Sequence, residues 1–209
     1  LMEDYLLGID KDPVIDDPEI AQFWDGLPNN LSKLENVIWA ENPANVDDYA
    51  WTKGSDGISR VWHPGIQEGK NYGWAGAPDI VAEYKGQIVL GDLKTSNNPY
   101  CSKWPDSSTP KSEYGKKRSG FMKYQKCQLQ LAAYALGLEH TINIIPDLCM
   151  TFVATKEGSQ VFVIQKHTIE KYKQKWLDIV TKYYEEVLPS KKKAVVEMEG
   201  IDGDNIDPK

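Results

Sequence analysis

Gly76-Ala77-Pro78-Asp79-Ile80-Val81-Ala82-Glu83-Tyr84-Lys85-Gly86-Gln87-Ile88-Val89-Leu90-Gly91-Asp92-Leu93-Lys94 decides how this chain is read. Two runs, 80–84 and 87–90, are rich in β-branched and aromatic residues, which suit pleated strands. Between them Lys85-Gly86 puts glycine where a two-residue hairpin turn needs positive φ. The stretch predicts a β-hairpin with Pro78-Asp79 at one end and Asp92-Leu93-Lys94 meeting it. Alternation along a strand sends Asp92 and Lys94 to one face and Leu93 to the other. Two carboxylates and an ammonium gathered this way suit a divalent cation beside a phosphate. Magnesium takes hard oxygen ligands, keeps several waters and uses one or two carboxylates. Asp79 and Asp92 meet that demand, with the backbone carbonyl of Leu93 as a further ligand. A metal there lowers the pKa of a water it binds, and Lys94 orients that water or screens charge on the phosphate. Taken singly, each motif has a plainer reading: a turn aspartate, and a solvated strand end.

A second element lies downstream. Residues 121–138 read as a helix, with Cys127, Leu131, Tyr134, Ala135 and Leu138 on one apolar stripe. Gln130 and Tyr134 are four apart and share a face. Lys123 and Lys126 flank that face. A glutamine at the edge of a buried stripe suits contact with a phosphate or a water. Its plainer reading is a boundary residue, with Tyr134 as core.

In this order and on these elements, the residues resemble the PD-(D/E)XK nuclease superfamily. The likeness is to the RecB-type exonuclease branch, whose last motif is Gln-x-x-x-Tyr, here Gln130 to Tyr134. Among these it is most similar to the exonucleases of mitochondrial genome maintenance, over about 74–184 of this sequence. The residues carrying it are Asp79, Val81-Ala82-Glu83-Tyr84, Asp92-Leu93-Lys94-Thr95-Ser96 and Leu131-Ala132-Ala133-Tyr134. The resemblance implies a restriction-endonuclease-like core, an α/β fold with a central mixed sheet flanked by helices. It implies metal binding by Asp79 and Asp92, a catalytic role for Lys94, and positioning of substrate or water by Gln130 and Tyr134. It also implies Mg2+ or Mn2+ as cofactor and single-stranded DNA as substrate, cleaved from its ends in replication, repair or recombination. The chain departs from the branch at the first motif, a histidine or acidic ligand on an N-terminal helix. His63, His140 and His167 are not on such a helix. The start, Leu1-Met2-Glu3-Asp4-Tyr5-Leu6-Leu7-Gly8, reads as a helix end, so that ligand is expected upstream of residue 1; Glu3 or Asp4 could substitute, but their plainer and preferred reading is as solvated helix residues. An endonuclease with the same site, or a binding module that kept the fold without turnover, remains open at this point.

Composition bounds the rest. A chain of 209 residues with 41% hydrophobic residues and seven tryptophans supports one domain with a substantial core. A single nuclease domain is expected over 1–189, with a helical N-terminal segment over 1–72 and a catalytic core over 73–189. No apolar run is long enough for a membrane span, so no membrane partner is expected. Cys101, Cys127 and Cys149 are odd in number and widely spaced, which favours reduced thiols in an intracellular protein. The expected compartment is a bacterial or phage-infected cytoplasm, or a mitochondrial matrix. Related iron–sulfur nucleases use four cysteines, so three argue against a cluster. Net charge is −7, but residues 1–60 hold thirteen acids and four bases. The basic residues Lys111, Lys116, Lys117, Arg118, Lys123 and Lys126 cluster just before Gln130, and local positive charge recruits a phosphate backbone. Thr95 and Ser96, beside Lys94, join Lys116, Lys117, Arg118, Lys123 and Lys126 as candidate nucleic-acid contacts. A solvated charge run is the plainer reading of the lysines.

Elsewhere the pattern predicts short helices over 18–27, capped by Asp17, and over 31–40, with a strand at 58–62. A long polar loop is expected over 97–120, with Tyr100, Trp104 and Tyr114 able to stack on bases. A second hairpin joins 148–154 to 160–166 through Glu157-Gly158. A last amphipathic helix, capped by Thr168, reaches Leu188, its aromatics read as core. Residues 190–209 read as a disordered charged tail.

Overall fold

The computed structural model describes residues 2–40, 52–53, 59–63 and 72–190. Its strands are β1 (Glu35–Ala40), β2 (Thr52–Lys53), β3 (Ser59–His63), β4 (Trp74–Gly76), β5 (Ile80–Tyr84), β6 (Gln87–Thr95), β7 (Leu148–Thr155) and β8 (Gly158–Gln165). Five of them form the central mixed sheet, in the order β1-β5-β6-β7-β8. β6 and β7 are parallel; the other three pairings are antiparallel. A smaller sheet has the order β2-β3-β4. The helices are α1 (Met2–Leu6), α2 (Pro18–Trp24), α3 (Pro28–Leu31), α4 (Lys111–Ile142) and α5 (Lys166–Lys182), the last continued by a π-helical turn at Tyr183–Val187. This is an α/β fold, as expected.

The hairpin forms as its residue types dictate. Lys85 and Gly86 both take positive φ, 52° and 74°, the pattern of a type I′ turn whose twist matches the flanking strands. Strand alternation then builds two apolar layers. On one face Val81, Leu90 and Cys149 pack against Leu131, Ala135 and Leu138 of α4 and Ile169 of α5. On the other, Ile80, Ala82, Val89, Met150 and Phe152 meet Met2, Leu27 and Leu31. Asp92 and Lys94 keep step with Leu90, so both belong to the α4 face.

Several expectations change. Residues 35–40 are a strand rather than a helix. Leu31, Leu34 and Ile38 mimic helical spacing, but Val37, Ile38 and Trp39 suit an edge strand on β5. There Trp39 is buried, and its Nε1 donates to the Pro78 carbonyl at 2.8 Å. The loop expected over 97–120 is shorter, because α4 begins at Lys111 and runs for 32 residues. Its first three turns include Lys111, Glu113, Lys116, Lys117 and Arg118, good helix formers, with Glu113 paired to Lys117 one turn on at 3.1 Å. All three loop prolines precede it. The last helix starts at Lys166 with Gln165 as its N-cap, so Thr168 is not the cap. Asp17 does cap α2, accepting from the Glu19 N–H at 2.8 Å. The strand expected at 58–62 and the second hairpin are present with shifted ends. The tail beyond Ser190 lies outside the described residues.

Candidate active site

The antiparallel register pairs Ile80 with Gly91. Continued by one step, it sets Asp79 against Asp92. Continued by two, it sets Pro78 against Leu93. Proline has no N–H to give, so the ladder offers no donor to the Leu93 carbonyl. The Leu93 N–H instead donates to Asp79 Oδ2 at 2.6 Å. Pro78 therefore ends the ladder and swings the Asp79 carboxylate into the place of a backbone acceptor. That is the physical content of the Pro-Asp pair.

Asp92 is wholly buried at the centre of the sheet. Lys94 Nζ donates to its Oδ1 at 2.9 Å and sits 2.8 Å from Oδ2, so the ammonium bridges both oxygens. Burial pushes the Asp92 carboxyl above its ordinary pKa, and the neighbouring Lys94 only partly offsets this. For Lys94, burial works against the charge, but the Asp92 and Asp79 carboxylates outweigh it and hold the ammonium above its usual range. One ammonium beside two carboxylates leaves a net negative charge that suits a further cation.

α4 supplies the opposite wall. Gln130 Nε2 donates to the Tyr134 hydroxyl at 2.7 Å. Tyr134 packs so tightly over Gly76 that a Cβ there would stand 2.3 Å from its Cε1. Burial raises the Tyr134 pKa, and the Asp92 and Asp79 charges add to the effect. Behind Lys94, Tyr100 and Cys127 pack with Val153. Burial, with the neighbouring charges, pushes the Cys127 thiol up to about 11 and the Tyr100 phenol to about 12, which favours their protonated forms at neutral pH.

The basic residues do not form one patch. They stand on α4, not on a loop. Lys116, Lys123 and Gln130 recur at seven-residue spacing, which drifts only about 20° per step. With Lys126 they make a positive stripe leading to the carboxylates. Lys123 also donates to Ser96 Oγ at 3.0 Å. Lys117 is engaged by Glu113, and Arg118 lies over the Trp104 ring at 5.8 Å. Ser96 is buried and donates to the Asn98 carbonyl at 2.7 Å; it anchors the loop rather than facing a ligand. Thr95 keeps step with Leu93 and so belongs to the opposite sheet face from Asp92. Tyr100 is buried, its N–H and carbonyl both held by the Gln160 amide. Trp104 is 46% exposed and packs edge-on against Phe121. Tyr114 lies in the first turn of α4.

α1 joins the apolar layer of the other sheet face through Met2, Tyr5 and Leu6. That face is opposite the one that carries Asp92. Among the described residues no group of three or more His, Cys, Asp and Glu side chains is arranged to hold a metal. The candidate ligands are Asp79, Asp92 and the Leu93 carbonyl, a set that fits magnesium or manganese with water completing the shell. His63 is instead buried against Trp74, stacked at 4.1 Å, with His140 at 5.3 Å. Sequence reasoning missed this cluster and the Gly76 seat under Tyr134; the only signal for the latter was a glycine three residues before Asp79.

No known family description and no curated protein matches the sequence. Among solved structures, SSO0001 is similar at a TM-score of 0.31 and 14% identity, over 57% of this chain. The chain spans about half of that protein's length, 48%. No helix among the described residues is long and apolar enough to cross a membrane.

Proposed function

We propose that the chain is a metal-dependent deoxyribonuclease of the PD-(D/E)XK type, hydrolysing single-stranded DNA from its ends. One observation carries this: Asp92, wholly buried, is paired through both oxygens with Lys94 and lies beside Asp79, whose carboxylate takes the Leu93 N–H, at the C-terminal end of β6. Burying carboxylates is costly unless they are paired, and one ammonium beside two carboxylates leaves net negative charge for a divalent cation to meet. The position also suits a ligand, since open α/β sheets bind at the carboxyl ends of strands, beside a crossover. β6 crosses to β7 through α4 at this end.

Asp79, Asp92 and the Leu93 carbonyl would hold Mg2+ or Mn2+. When bound, the metal activates water and takes up charge on a phosphoryl oxygen. The remaining work belongs to the chain. Lys94, tethered to Asp92, orients a water or the phosphate that water attacks. Gln130 and Tyr134, fixed to each other, position the substrate from the α4 side. Lys116, Lys123 and Lys126 guide the phosphate backbone along α4. Hydrolysis is direct, with no covalent intermediate, because no serine, cysteine or tyrosine serves as nucleophile.

The test is cleavage of linear and circular single-stranded DNA with Mg2+, Mn2+ or EDTA. Metal-dependent loss of the linear form alone supports an exonuclease. Loss of both forms makes it an endonuclease with the same site. Binding without cleavage of either would leave a nucleic-acid-binding module and refute the hydrolytic proposal.

A further inference from the structure

A groove of about 360 Å³ opens between β4, α4 and α5, lined by Trp74, Gly76, Lys126, Gln130, Tyr134 and Trp176 among others. Its volume lies at the small end of the range for ligand sites, roughly 300–1,000 Å³. The walls are mostly apolar. Leu129 and Ala133 continue them, and Trp74 and Trp176 face each other edge-on at 5.9 Å and 76°.

The aromatic wall is pre-set. The Trp74 ring is stacked on His63 at an interplanar angle of 8°, and its Nε1 donates to the Ala133 carbonyl at 3.3 Å. A side chain held this way gives up little freedom when a ligand arrives. Trp176 Nε1 is buried and has no hydrogen-bond partner. Polar groups stand at one end only: the Gln130 amide, the Tyr134 hydroxyl and the exposed Lys126 ammonium. Gly76, which lines this end, lies three residues before Asp79 in the chain.

We infer that this groove seats one unpaired nucleobase of the strand being cleaved, an inference that rests on the hydrolytic reading above. A nucleobase has a flat apolar face for aromatic walls and a polar edge for an amide and a hydroxyl. It also trails a phosphate, which Lys126 meets at the rim. A base already paired in a duplex has its edge engaged and both faces stacked, so it cannot enter. The groove thereby selects single strands.

The experiment measures binding of a short labelled single-stranded oligonucleotide in EDTA, by fluorescence anisotropy, with one abasic position moved along the strand. One register should be sensitive, with affinity lost by about fivefold to a hundredfold. Trp176→Ala should lose a similar factor and then be indifferent to the abasic position, while Trp176→Phe, which keeps a ring, should retain most affinity. Duplex of the same sequence should bind more weakly than the single strand. Indifference of the wild type to every abasic position overturns the inference, as does equal binding of duplex or no binding at all. A parallel cleavage assay with Mn2+ separates the two proposals. Base-sensitive binding without cleavage leaves the groove standing and removes hydrolysis; cleavage with abasic-insensitive binding does the reverse.

Discussion

Replacing Gly76 with alanine tests how the glutamine–tyrosine pair is seated. The added Cβ would stand 2.3 Å from Tyr134 Cε1 and 2.8 Å from Cδ1. Carbon atoms rest at about 3.5–4.0 Å, so the ring must retreat by roughly 1.2 Å or more. The Gln130–Tyr134 bond is now 2.7 Å; lengthened by that amount it exceeds hydrogen-bonding distance. Overpacking of this kind costs about 1–3 kcal/mol, and the lost bond adds about 1 kcal/mol. A chain of this size loses about 2–4 °C of Tm per kcal/mol, so Gly76→Ala should melt about 4–16 °C lower. The assay is urea unfolding and thermal melting of Gly76→Ala, Tyr134→Ala and the double variant. With the ring gone, Gly76→Ala should cost less than about 0.5 kcal/mol, leaving a coupling well above additivity. Unchanged stability of the single variant, or additive costs in the cycle, would refute this seating.

Other outcomes follow from the same geometry. Gly120→Val should detach the loop from α4, since a Cβ there meets the Pro99 carbonyl at 2.7 Å and the Cys101 N at 3.2 Å. Backbone cannot yield as a side chain can, so protease cutting within 97–110 should rise sharply in this variant. Burial and His140 hold the His63 pKa down at about 4, from 6.5. The unfolded chain therefore takes up this proton first, and stability falls as pH drops through 6.5 toward 4. The loss should be about 2 kcal/mol between pH 7 and pH 5. His63→Gln should flatten that region of the urea-unfolding profile; an unaltered slope would count against it. Lys173, 6% exposed, ties α5 to α4 through Glu139 and also pairs with Glu170 of its own helix. Lys173→Ala leaves two partly exposed carboxylates without their cation and should cost about 2 kcal/mol, read by chemical unfolding.

Much of the centre of this molecule was legible in its sequence because it depends on local chemistry. Lys85-Gly86 dictates its own turn, and alternation alone puts Asp92 and Lys94 on one side of β6. Gln130 and Tyr134 meet because helical residues four apart must. What was not legible depends on distant partners. Residues 35–40 became a strand only because β5 offers an edge and Pro78 an acceptor for Trp39. The reach of α4 back to Lys111 was hidden by Gly115 and Gly120, which read as loop. Gly120 is there because the loop backbone crosses that turn of the helix too closely for any side chain. Trp176, which periodicity assigns to a core stripe, lines the groove beside Gln130, because β4 and α4 do not close over it.

Lys94→Ala most directly tests the central claim. It removes the ammonium that touches Asp92 and leaves the hairpin, α4 and both carboxylates in place. Cleavage of end-labelled single-stranded DNA in Mn2+ is measured beside the wild type, with circular dichroism confirming the fold. Metal-dependent cleavage by the wild type and at least a hundredfold loss in a folded Lys94→Ala are expected, on the scale of removing one positioned catalytic donor, about 10²–10³. Cleavage by a folded Lys94→Ala at the wild-type rate would contradict the assignment of this carboxylate–lysine cluster as the site of hydrolysis.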